Sequence, residues 1–173
     1  MKKLSFYFVY SLLLSLAGSL LMTGCLEEEK RDYEAEEKAE RDAFLQENDI
    51  TVEPTESGLY FILIDSGSGP LAEVGDSVSI YYSGFYLTGQ IFATNEEDVA
   101  IALGVQNYFT NYDPLNFILG EEGYVLEGIE EGLTYMREGS KADMIIPSNI
   151  GIVGSYTTVL YKIKLIRLVK PPF

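Results

Sequence analysis

The sequence predicts an α+β domain, an antiparallel sheet surrounding one short helix. Segments of strand length and strand patterning recur between Gly- and Ser-rich turns, only one segment of the globular region has helical spacing, and strands lie on both sides of it in the chain. The globular part begins near Thr51. "GLYFILID" is an apolar strand closed by the turn "SGSGP". In "GDSVSIYYSGFYL", Val78, Ile80 and Tyr82 share one face while Ser77, Ser79, Tyr81 and Ser83 take the other, so this strand is half-buried. Gly84 within it marks a bulge or a close approach. "GQIFAT" pairs back as a short strand. In "VLEGIEEGLTYM", Val125, Leu126, Ile129, Leu133 and Met136 recur at helical spacing, with Gly139 as the C-terminal stop. "SKADMIIP" and "TTVLYKIKLIRLV" are the last two strands, and Val159, Tyr161, Ile163 and Leu165 share one face of the second.

Ahead of the domain stand two segments of different chemistry. "MKK" followed by "LSFYFVYSLLLSLAGSLLM" and "TGC" has the basic start, apolar run and small-residue end of a secretory signal over residues 1–24. The apolar run is also long enough to cross a bilayer, so an uncleaved anchor is the alternative. Cys25 is the only cysteine and has no internal disulfide partner. Its place after Gly24 resembles the lipobox of bacterial lipoproteins, in which this cysteine takes the lipid and becomes the mature N-terminus; Met22 stands where leucine is usual. Residues 25–50 then form an acidic spacer. Glu27 and Arg31, Glu34 and Lys38, and Glu37 and Arg41 are each four apart with the acid first, the favoured order for helical ion pairs of about 0.2–0.5 kcal/mol each. Ala35, Ala39 and Ala43 make only a thin apolar stripe, so the expectation is a solvated helix separating the domain from a membrane. "EEE" after Cys25 also resembles the acidic export tag of surface lipoproteins in some Gram-negative phyla.

Charge and composition exclude several functions. Twelve basic residues against twenty-seven acidic ones give a net charge of −15. Without Lys2 and Lys3, ten against twenty-seven gives −17. This charge repels nucleic acid and anionic headgroups. The chain has no histidine, which removes the usual general base and the commonest zinc ligand, so neither a Ser-His-Asp nor a Cys-His mechanism can be assembled. The acidic segment lacks the spaced Asp/Asn-Gly pattern of a calcium loop. No cofactor and no metal are expected.

The order and spacing of "VSIYYSGFYLTGQIF", "NFILG", Glu127-Gly128-Ile129-Glu130-Glu131-Gly132-Leu133, Met136, Gly139 and "IIPS" resemble the FKBP-type peptidyl-prolyl isomerase family from about Ser57 to Leu168. The resemblance implies, for residues 51–173, a twisted antiparallel sheet wrapped around the helix, with an apolar cleft between them. The reaction such a cleft performs is chemically light. Twisting an X-Pro amide crosses a barrier of about 18–20 kcal/mol without making or breaking a bond. An apolar pocket favours the twisted amide, which has lost resonance, while a few donors hold the peptide carbonyls.

Carried over by position, the peptide-binding cleft comprises Tyr82, Phe92, Leu115, Val125, Leu126, Ile129, Ile152 and Tyr161. Tyr161 stands where the family usually has phenylalanine, Ala93 where it has aspartate, Ile129 where it has tryptophan, and Ile152 where a tyrosine donates to the bound peptide. The flap is shortened to "GSYTT". A lost donor is worth about 0.5–1.5 kcal/mol, so the cleft is expected to be greasier and to position its ligand less. "NEEDVAIALGVQNYFTNYDPLN", residues 95–116, is longer than the family's usual connection and carries Tyr108, Phe109 and Tyr112, aromatics for covering the cleft, docking a partner or packing on one another. The resemblances together imply a lipid-anchored prolyl isomerase of the bacterial cell envelope, at the outer membrane on its periplasmic or surface side. Its partners would be proline-containing segments of extracytoplasmic proteins. Alternatives are a non-catalytic, chaperone-like binding lipoprotein and a structural lipoprotein working through its acidic helix.

Overall fold

The computed structural model describes residues 32–121 and 123–172. The expected signal peptide, Cys25 and the Glu27–Arg31 pair lie outside the described residues. The elements run α1 (Tyr33–Glu47), β1 (Tyr60–Asp65), β2 (Ser68–Leu71), β3 (Ser77–Tyr86), β4 (Ile91–Thr94), α2 (Glu97–Ala102), β5 (Leu115–Ile118), α3 (Glu127–Thr134), β6 (Arg137–Glu138), β7 (Lys141–Ile146) and β8 (Val159–Val169). The main sheet has the order β1-β7-β8-β3-β4, with β5 also on β3; every pairing in it is antiparallel. The expected α+β class is the one observed, but the globular region holds a second short helix, α2, beside the single one expected.

β3 and β8 form the spine. Their ladder runs from Ser77–Val169 to Tyr86–Val159 with a shift between Ser79 and Ile80. The other edge of β3 is shared: β5 pairs with Ser77–Ile80 and β4 with Ser83–Phe85. Between them Asn95 completes the edge with its side chain. Its Oδ1 accepts from Tyr82 N at 2.6 Å and its Nδ2 donates to Ile80 O at 3.1 Å and Asp113 O at 3.2 Å. A buried backbone group without a partner costs about 1–3 kcal/mol, so this amide lets residues 95–116 leave the sheet without orphaning β3.

The core lies between α3 and the sheet, where Val78, Ile80, Ile129, Leu133, Met144, Ile146, Ile163 and Leu165 are buried. Each such side chain contributes about 1.5–3 kcal/mol. Two glycines permit the close helix–sheet approach. A Cβ on Gly132 would lie 2.5 Å from Met144 Cε, and one on Gly128 2.7 Å from Ile146 Cγ2.

Several local expectations are corrected. "SGSGP" is not only a turn, since Ser68–Leu71 forms β2 against β6. Val125 and Leu126 precede the helix, with Leu126 at its N-cap, and α3 ends at Thr134 with Tyr135 as C-cap. Gly139 therefore does not stop the helix. It turns β6 into β7 with φ of +83°, a conformation glycine adopts without a Cβ clash. Ser83, expected on the outer face, is buried against the end of β4 and the base of the 95–116 segment, with Thr94 Oγ1 at 2.8 Å and Glu96 Oε1 at 3.2 Å.

The acidic helix also differs from a solvated spacer. Asp32 caps α1 by accepting from Ala35 N at 3.1 Å. Lys38 pairs with Asp42 rather than Glu34. Glu37 is buried: Oε1 accepts from Ser148 N at 2.7 Å and from the Thr158 hydroxyl at 2.8 Å, and Oε2 from the Ser148 hydroxyl at 2.6 Å. Tyr33 stacks on Tyr156 at 5.3 Å, and the Arg41 guanidinium lies 6.0 Å from the Tyr60 ring centroid. Three bonds to one carboxylate outweigh an exposed helical ion pair of a few tenths of a kcal/mol.

Candidate functional site

At the mouth of the core, Tyr82, Ala93, Leu115, Gly123, Tyr124, Val125, Leu126, Ile129 and Tyr161 surround an open cavity of about 300 Å³. β3 supplies Tyr82, β4 Ala93, β5 Leu115 and β8 Tyr161. The segment entering α3 supplies Gly123 to Leu126, and the helix Ile129. Six of the eight cleft residues expected from the sequence thus meet around one cavity. Tyr124 is an addition, stacked on Phe117 at 6.0 Å. Its only sequence signal is its place before the Val125-Leu126 pair.

The aromatic wall is interlocked. Tyr161 meets Phe92 edge-on at 5.6 Å and lies 6.2 Å from Tyr82, and Phe92 packs on Tyr86 at 4.9 Å. Gly84 makes room for this cluster: a Cβ there would sit 2.7 Å from Phe92 Cζ and 3.1 Å from Tyr161 Cε1. The expectation of a close approach at Gly84 is met, and the register also shifts between Gly84 and Phe85.

Tyr161 is 9% exposed, and burial, with Tyr82 nearby, pushes its phenol up to about 12. It therefore stays protonated and able to donate across physiological pH. Among the described residues neither the Tyr82 nor the Tyr161 hydroxyl has a hydrogen-bond partner. Two phenolic donors thus stand in an apolar wall, while Ala93 offers only a methyl group.

Phe92 and Ile152 stand elsewhere. Phe92 lines a neighbouring open cavity of about 320 Å³ that shares Tyr82 and Ala93 with the first and is lined on its other side by Val105, Asn107, Thr110 and Tyr112. Ile152 is 48% exposed in the rim loop 148–158 and does not line the first cavity. Ile150 is the isoleucine the loop buries, and its carbonyl accepts from Gly128 N at 2.8 Å at the start of α3. The loop also holds β1's approach, Asn149 Nδ2 donating to Ser57 O at 3.0 Å.

The 95–116 segment does not fold its aromatics over the first cavity. Tyr108 and Phe109 are 90% and 98% exposed, and the Tyr112 hydroxyl accepts from Asn107 N at 2.9 Å. Beyond the segment's base, Lys164 pairs with Glu96.

Known proteins resemble this arrangement. A sequence model of the FKBP-type peptidyl-prolyl cis-trans isomerase family matches residues 69–166. The chain is 28% identical over 156 residues to a probable FKBP-type peptidyl-prolyl cis-trans isomerase, FkpA, of Neisseria meningitidis, covering 84% of this chain and 51% of that one. It is 29% identical over 147 residues to the outer membrane protein MIP of Legionella longbeachae, covering 78% and 55%. The chain thus spans about half the length of these relatives. The crystal structure of FkpA from Escherichia coli superimposes with a TM-score of 0.62 at 21% identity, covering 95% of this chain and 73% of that one.

Proposed function

The chain belongs to the FKBP-type peptidyl-prolyl cis-trans isomerase family, and from that premise we propose that its cavity accelerates rotation about X-Pro bonds in proteins outside the cytoplasm. The observation that carries the reading is the aromatic-walled cavity lined by Tyr82 and Tyr161, whose hydroxyls bond to no other described residue. The proline ring enters against Leu126, Ile129 and the two tyrosine rings. Exclusion of water favours the twisted amide, and a phenol donates to an adjacent peptide carbonyl. The donor that the resemblance places at Ile152 is thereby supplied from β3 and β8.

A proline-limited refolding assay tests this. Acceleration is expected, and Tyr161→Phe, which removes one donor and keeps the ring, weakens peptide binding by about 0.5–1.5 kcal/mol, or two- to tenfold. No acceleration at high protein concentration sinks the catalytic reading. Retained peptide binding would then leave the non-catalytic, chaperone-like one, which Ala93 and the exposed Ile152 favour. Peptide binding unchanged in both Tyr82→Ala and Phe92→Ala would mean that the cleft is the wrong site.

We place the protein at the outer membrane of a bacterial envelope, held by lipid on Cys25. The lipobox-like sequence supports this, as does likeness to a relative named for the outer membrane. Among the described residues no helix is long and apolar enough to cross a membrane. Palmitate labelling that survives Cys25→Ser would refute the anchor.

A further inference from the structure

Both ends of the rim loop converge on one carboxylate that lies far from them in the chain. Ser148 is 111 residues from Glu37 and Thr158 is 121, yet Glu37 accepts from both hydroxyls and from the Ser148 amide. The three contacts close the neck of the loop, and the carboxylate is buried, where losing a partner is costly. From each end the chain leads to residues that adjoin or line the cavity wall. Two residues after Ser148, the Ile150 carbonyl holds Gly128 N, just past Leu126 of the cavity wall. Three residues after Thr158, β8 presents Tyr161. The Tyr33–Tyr156 stack adds a second contact between α1 and the loop.

We infer that Glu37 is a positioning residue for the cleft: α1 is a strap whose carboxylate sets the place of the 148–158 rim loop and so the fit of the peptide. This rests on the cleft being the peptide site. It goes further in making the acidic helix part of the binding machinery rather than a tether.

Amide hydrogen exchange and X-Pro peptide isomerisation, measured on the full chain in detergent, test the inference together. In Glu37→Ala, amides of 148–158 exchange roughly ten- to a hundredfold faster, the size expected for losing hydrogen bonds to a charged group. Exchange in β3 stays the same, and KM for a proline tetrapeptide rises more than kcat falls. Glu37→Gln restores both readouts, because its amide oxygen accepts from Ser148 N and the Thr158 hydroxyl while its NH₂ donates to Ser148 Oγ. Thr158→Val, a milder change at the other side of the contact, moves the same loop amides. Unchanged loop exchange in both Glu37→Ala and Thr158→Val overturns the strap. So does faster exchange spread evenly over the domain, and so does a loosened loop with unaltered KM. If the wild type shows no isomerisation, the catalytic reading fails, and exchange together with the Kd of the same tetrapeptide decides the strap. Absence of tetrapeptide binding as well would overturn the claim about fit.

Discussion

Two segments adjoin the elements that wall the cavity, the rim loop 148–158 and the insertion 95–116, and they are held in opposite ways. The rim loop is tied by remote partners: Glu37 at its neck, Ser57 through Asn149, and Gly128 through Ile150. Beyond its base at Asn95 and Glu96, the insertion is tied mainly to itself: Gln106 to Glu97, Asn107 to Tyr112, and Asn111 to Asp113. Both carry exposed apolar side chains, Ile152 and Val153 on one and Tyr108 and Phe109 on the other. A segment fixed by buried long-range bonds communicates with the rest of the fold. A segment fixed by exposed local bonds is a module whose tip can change without disturbing the sheet.

The comparison can be broken at three places. Glu37→Ala has the largest expected effect, a loss of about 1.5–3 kcal/mol in the local opening free energy of the rim loop, read from its amide exchange, because donors of Ser148 and Thr158 lose a charged acceptor. A loss below about 0.5 kcal/mol would place the rim loop in the same class as the insertion.

The same contact has a pH signature. Burial pushes the Glu37 carboxyl up, but the Ser148 and Thr158 bonds, aided by Arg41, bring it below its ordinary value of 4.5. Folding thus lowers this pKa, so the stabilisation is fully present above 4.5 and is lost as pH falls through the folded value. The stability gap between wild type and Glu37→Gln should narrow below that pH; a constant gap from pH 7 to 3 would show the charge to be irrelevant.

Asn95→Ala comes next, with a loss of about 2 kcal/mol of unfolding free energy in urea titrations, since Tyr82 N and Ile80 O lose their partner at the base of the insertion. Smallest is Tyr108→Ser with Phe109→Ser, expected within about 0.5 kcal/mol of wild type by the same titration. A larger loss would show that the tip packs onto the domain.

Much of the cavity was legible through the family resemblance, because its wall residues lie within, or directly beside, regular elements. Tyr82, Leu115, Val125, Leu126, Ile129 and Tyr161 were carried over by position, and strand alternation and helix spacing keep that register from slipping. Tyr124 was missed because it sits before the helix, where no periodicity applies. Ile152 was placed at the cavity by position in a loop, and which isoleucine turns inward there is decided by the fit of Ile150 to Gly128. β2 and β6 were missed because four- and two-residue strands carry too few residues for a pattern.

By itself the sequence determined the α+β class, the helix α3 among the strands and the absence of histidine, since these follow from residue type and short-range spacing, whereas the short helix α2 in the insertion carries too few residues for a pattern. Only the tertiary structure decided what Glu37 does. At helical spacing a glutamate four residues before an arginine reads as a surface ion pair. Burial against a backbone amide and two hydroxyls more than a hundred residues away instead gives that carboxylate three stronger partners. Which reading holds depends on where the chain brings Ser148 and Thr158, and no local pattern encodes that.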